Sequence, residues 1–150
     1  DGKYYDVPHV TLFSMGACYE NINKIEKKIK TIVKDFKPIK IKSKELTLFE
    51  DKNKGHVVVT IEKNKDLQEL HNKIINELIS FSKKKGGFIL EKYNPHCSKI
   101  INLPNKIANK AKDNSKIKSF EFVSNKVGTK IRQENHYCII EKEFLLGENK

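Results

Sequence analysis

The apolar positions of this chain change period several times between Pro8 and Leu146, and each change marks an element. Pro8-His9-Val10-Thr11-Leu12-Phe13-Ser14 is rich in β-branched and aromatic residues and predicts a strand over 8–14. From Glu20 to Phe36 the period lengthens: Ile22, Ile25, Ile29, Val33 and Phe36 recur at helical spacing, and Lys24, Lys27, Lys28 and Lys30 take the outer face. Ile39 and Ile41 then alternate with Lys40 and Lys42, and Leu46 and Leu48 with Thr47 and Phe49, which predicts one strand or two with one face buried; 51–55 supplies a turn. His56 to Glu62 reads as a β-branched strand. Asp66 is the candidate N-cap of a second amphipathic helix carrying Leu67, Leu70, Ile74, Leu78 and Phe81, with Lys83 to Gly87 ending it.

After Phe88 to Glu91 a short strand is predicted to begin near Pro95. A shorter helix follows from Pro104, a residue suited to a first helical position, and is expected to bury Ile107, Ala108 and Ala111. Ser119 to Val127 and Tyr137 to Leu146 read as two strands joined by the connection from Gly128 to Asn135. The pattern is α+β throughout, without a linker or a low-complexity tract, and 150 residues are what one domain spanning 1–150 needs to bury a core.

Composition narrows the class. With 37% hydrophobic and 33% charged residues and no long apolar run, nothing in the chain is addressed to a membrane. Cys18, Cys97 and Cys138 form no CxxC pair and leave an odd count, which argues against a disulfide framework or a zinc knuckle and points to a reducing, cytoplasmic setting. A chain beginning at Asp1 reads as a piece of a larger protein or a processed product. The net charge of +11 suits a polyanionic partner, because lysines near phosphates release condensed counterions. The joint abundance of Lys, Asn and Ile is also what AT-rich coding produces, so charge alone assigns no ligand.

One internal echo carries chemistry. Val7-Pro8-His9-Val10-Thr11 and Asn94-Pro95-His96-Cys97-Ser98 share the pattern Pro-His-x-hydroxyl, and each lies on a predicted strand that leads into a helix and further strand, as two related half-domains would. Alternation along a strand puts His9 with Thr11 on one face and His96 with Ser98 on one face, with Val10 and Cys97 turned away, which disfavours Cys97 as a nucleophile. Phosphodiester cleavage needs a base for the nucleophile's proton and an acid for the leaving oxygen, and two imidazoles near neutral pH can serve as both. A hydroxyl two residues along can donate to a non-bridging phosphate oxygen. Two copies of the pattern thus make a complete site without a metal or other cofactor.

These motifs resemble the paired motifs of the 2H phosphoesterases, which include LigT-like RNA cyclic phosphodiesterases and 2',5'-phosphodiesterases. The resemblance runs from about Val7 to Leu146. It implies a two-lobed α+β fold of two pseudo-symmetric antiparallel sheets flanked by helices around a central cleft. It further implies catalytic His9 and His96, phosphate-binding Thr11 and Ser98, and a metal-independent activity on 2',5'-linked oligoadenylates or RNA 2',3'-cyclic phosphates. LigT-like members usually carry a strand and helix before the first motif, whereas eight residues precede His9; Lys99 follows Ser98 where an apolar residue is usual. A small cyclic oligonucleotide signal as substrate, or a binding-only RNA module, are the alternatives. Tyr5, Tyr93 and Tyr137 are candidates for stacking on a base, and Lys40, Lys42 and Lys130 for meeting phosphates. His56, His71 and His136 lack a hydroxyl two positions on and are expected to be surface or structural. The expected partner is RNA or an oligonucleotide, and the protein is expected to act as a monomer.

Overall fold

The helical stripe that starts at Ile22 becomes α1 (Ile22–Val33), preceded by a single 3-10 turn at Tyr19–Asn21. The structure, a computed structural model, describes residues 9–16, 19–82, 92–132 and 138–147. Ile25, Ile29, Ile32 and Val33 are buried, and the chain leaves the helix through bonds from Asp35 and Phe36 back to Ile32 and Val33, just before Pro38. Each such aliphatic side chain contributes about 1.5–3 kcal/mol when fully buried.

The alternating stretch that follows is one strand, β1 (Ile39–Asp51), with an irregularity between Ser43 and Leu46, and it turns through 52–53 into β2 (Lys54–Ile61). The second helix, α2 (Lys65–Leu78), buries Leu67, Leu70, His71, Ile74, Ile75 and Leu78. Its cap is Asn64 rather than Asp66. The Asn64 side-chain oxygen accepts from the Leu67 amide at 2.8 Å while its amide group donates to the Lys40 carbonyl at 2.9 Å. One residue thereby satisfies an orphan helix donor and ties α2 to β1, which Asp66, already inside the first turn, does not.

After the second motif come β3 (His96–Pro104), α3 (Asn105–Asp113), β4 (Glu121–Ser124), β5 (Lys126–Arg132) and β6 (Cys138–Leu145). The strands form a four-stranded antiparallel sheet in the order β3-β2-β1-β4 and a two-stranded sheet of β5 and β6. The stretch 119–127 is therefore not one strand. It changes sheet at Asn125, whose carbonyl accepts from the Leu146 amide at 2.8 Å, and the stretch expected to be a connection from Gly128 continues as strand to Arg132. The α+β class holds, with a larger and a smaller sheet.

Of the residues expected inside α3, Ala108 is fully buried but Ile107 is 54% exposed. The cause lies on β2: a Cβ placed on Gly55 would stand 2.5 Å from Ala108 Cβ, so the helix is drawn close over the glycine along a narrow face, and Ile107 is rotated out. The main core joins α1 and α2 to Ile39, Ile41, Ile61, Tyr93, Phe144 and Leu146, with Val10, Leu12, Phe13 and Met15 packed against it. No helix among the described residues is long and apolar enough to cross a membrane.

Candidate functional site

The two motifs are held by different means. The second begins β3, whose pairing with β2 sets Thr60 opposite His96 and Val58 opposite Ser98. On β1, Thr47 lies opposite Val58 and Phe49 opposite His56. Residues directly opposite share a face, so His96, Ser98, Thr60, Val58, His56, Thr47 and Phe49 belong to one face of the sheet, and Cys97, opposite Val59, to the other. His96 Nδ1 lies 2.8 Å from the carbonyl of Asn94. A carbonyl only accepts, so Nδ1 carries a proton, and in the neutral ring the lone pair is on Nε2. The edge of the Phe49 ring meets the imidazole with centroids 4.9 Å apart and planes at 72°. Backbone ladder, carbonyl and ring edge together fix the orientation of His96.

The first motif is not a strand in the described residues. From His9 to Ser14 the chain has no ladder partner and bends at Leu12, yet the alternation survives: His9 and Thr11 are exposed, while Val10 and Leu12 are partly buried against the core. Side chains replace the ladder. His71 Nδ1 donates to the Leu12 carbonyl at 2.6 Å, and the Tyr93 hydroxyl donates to the Thr11 carbonyl at 3.2 Å. The His71 and Tyr93 rings stack face to face, with centroids 3.8 Å apart and planes 10° from parallel. Burial lowers the His71 pKa from its ordinary value, opposed in part by the bond to Leu12, and burial raises that of the Tyr93 phenol. Both groups are neutral at physiological pH, which suits a pair buried among aliphatic side chains.

Tyr93, a candidate for stacking on a base, presents little ring surface in this structure. It is only 3% exposed and gives one ring face to His71. It joins the two motifs, standing three residues before His96 and bonding to Thr11, two residues after His9. Tyr5, Tyr137 and His136 lie outside the described residues. His71 is structural as expected. His56 Nδ1 accepts from the Asn102 amide at 3.4 Å, at a residue with φ +60°. Lys40 and Lys42 pair with Glu121 and Glu62 at 2.8 and 2.9 Å, and Glu62 raises the Lys42 pKa. Both pairs are exposed and screened by solvent, so they add little to stability. Lys99 falls in the β2–β3 register irregularity, is exposed, and reaches the Lys116 carbonyl.

Lys130 is the one phosphate candidate at a motif, its Nζ 3.2 Å from His9 Nδ1. Sequence reasoning missed Phe49 and the Asn94 carbonyl as partners of His96, and missed the anchoring by His71. The face shared by Phe49 and His96 depends on the pairing of three strands, which no local pattern carries. Among the described residues no three His, Cys, Asp or Glu side chains gather into a group able to hold a metal ion.

No curated protein matches the chain. A family model described as the 2'-5' RNA ligase superfamily matches residues 2–127, a span that includes both Pro-His-x-hydroxyl motifs and ends short of Lys130. With more than half of its length matched, the chain belongs to the 2'-5' RNA ligase superfamily of LigT-like 2H phosphoesterases, which supports a phosphoesterase activity.

Proposed function

We propose that the protein hydrolyses phosphodiesters without a metal, at 2',5' linkages of oligoadenylates or at 2',3'-cyclic phosphate ends of RNA, with His9 and His96 as the acid/base pair. In this reading the two sheets form two lobes around one cleft. The observation that carries it is the Tyr93–Thr11 bond, which fastens the approach to the second motif onto the first. The bare Nε2 of His96 is suited to take the proton of an attacking water as the new O–P bond forms. The imidazole of His9 protonates the ribose oxygen that leaves as the old P–O bond breaks. Thr11 and Ser98, both exposed, donate to the non-bridging oxygens, where charge builds in the transition state.

Turnover of a 2',5'-linked oligoadenylate and of an RNA bearing a 2',3'-cyclic phosphate, each in EDTA, tests the reading. His9→Ala and His96→Ala are each expected to lower kcat by about 10² to 10⁴. Turnover unchanged in both variants, or salt-sensitive binding of both substrates with no turnover by the wild type, would overturn it, the latter in favour of a binding module.

A further inference from the structure

We propose that Lys130 is a positioning residue for the first motif, holding the His9 imidazole with its lone pair on Nδ1 and its proton on Nε2. The inference rests on the acid/base reading above and states how its two histidines are made unlike. An ammonium group has three donors and no lone pair, so a hydrogen bond across the 3.2 Å between Lys130 Nζ and His9 Nδ1 requires lysine to donate and Nδ1 to accept. A neutral imidazole with a bare Nδ1 carries its proton on Nε2. His96 is set the opposite way, because the Asn94 carbonyl claims the proton on its Nδ1. One ring offers a donor at Nε2 and the other an acceptor at Nε2, which is the division of labour that hydrolysis needs.

The bond also balances the protons. His96 Nε2 takes one proton from the attacking water, and His9 Nε2 gives its proton to the leaving oxygen. Lys130 passes a proton to His9 Nδ1, so the ring ends as the other neutral tautomer and lysine as an amine. Once product has left, the extra proton on His96 passes through solvent to His9 Nε2, and His9 Nδ1 returns its proton to the lysine, which restores all three groups.

The fold directs Lys130 to this task. Its neighbour Thr129 is buried, with its hydroxyl 3.3 Å from Glu26 Oε1 on α1. Lys142, opposite Thr129 on β6, holds Glu26 Oε2 at 2.6 Å. The side of the small sheet that carries Thr129 is thus fastened to α1, and alternation sends Lys130 to the other side. The register irregularity at this step places its extra residue on β6, so β5 runs on without interruption and keeps the alternation that separates Lys130 from Thr129.

The experiment is a long-range ¹H–¹⁵N correlation spectrum of the histidine rings in the wild type, Lys130→Arg and Lys130→Met, with His9 signals assigned from His9→Gln. Wild type and Lys130→Arg, which keeps a donor, are expected to show His9 protonated at Nε2, and Lys130→Met to show a mixture of tautomers. Alongside, Lys130→Met is expected to lower kcat by at least about tenfold with KM changed less than about threefold, and Lys130→Arg to restore most of the loss. An unchanged His9 tautomer in Lys130→Met overturns the inference, as does a rise in KM at constant kcat, which would make Lys130 a substrate phosphate contact. Absence of turnover in the wild type would instead sink the acid/base reading, while the spectra still decide the role of Lys130.

Discussion

The two Pro-His-x-hydroxyl segments are nearly the same in sequence and are supported by unlike scaffolds. His96 and Ser98 are carried by a strand whose amides and carbonyls pair with β2. His9 and Thr11 are carried by an irregular segment that His71 and Tyr93 pin through two backbone carbonyls. The same functional pattern is therefore distributed in one case over many backbone bonds and in the other over a few side chains far away in sequence. The first motif is the one that single substitutions outside the site can displace.

The largest effect that would break this contrast is sought at His71. His71→Ala removes a fully buried ring and the donor to Leu12, and is expected to cost about 2–5 kcal/mol in urea unfolding. Amide shifts of residues 9–14 should move and those of β3 stay; equal movement in both segments would show that the scaffolds are not independent. The next effect is in pH. His71 has a folded pKa below its unfolded value, so as pH falls through about 6.5 the unfolded chain takes up a proton that the folded one refuses. Stability should then fall by up to about 1.4 kcal/mol per pH unit until the folded value is reached. His71→Asn keeps an N–H donor and cannot titrate, and should flatten that slope. The smallest effect is at Tyr93: Tyr93→Phe keeps the stack and loses one hydroxyl, for about 1 kcal/mol. It should shift the Leu12 amide, which follows the Thr11 carbonyl, more than any amide of β3.

The sequence made legible whatever one element decides alone. The α1 stripe from Ile22 to Val33, the alternation of Ile39 and Ile41 with Lys40 and Lys42, and the two motifs themselves are all local patterns. What it hid depends on two elements meeting. Asn64 rather than Asp66 caps α2 because only Asn64 also reaches the Lys40 carbonyl. Ile107 is exposed because α3 is drawn down over Gly55. The first motif was expected to be a strand because its residues favour one, but in the described residues it has no ladder neighbour, and propensity without a partner does not make a strand. The role of His71 was hidden for a related reason: 59 residues separate it from Leu12.

The single residue between β4 and β5 has a mechanical consequence. Asn125 alone spans the two sheets, and one residue reaches at most about 3.6 Å, so the sheets cannot slide apart at that point and can only swing about it. Lys130 sits five residues beyond this pivot, at the end of a lever of roughly 17 Å in extended chain. A swing of about 5° would carry its ammonium roughly 1.5 Å on such a lever, about the margin between a made and a broken hydrogen bond to His9. The bonds from Thr129 and Lys142 to Glu26 on α1 oppose such a swing, and in doing so they keep the Lys130 ammonium within reach of the first histidine.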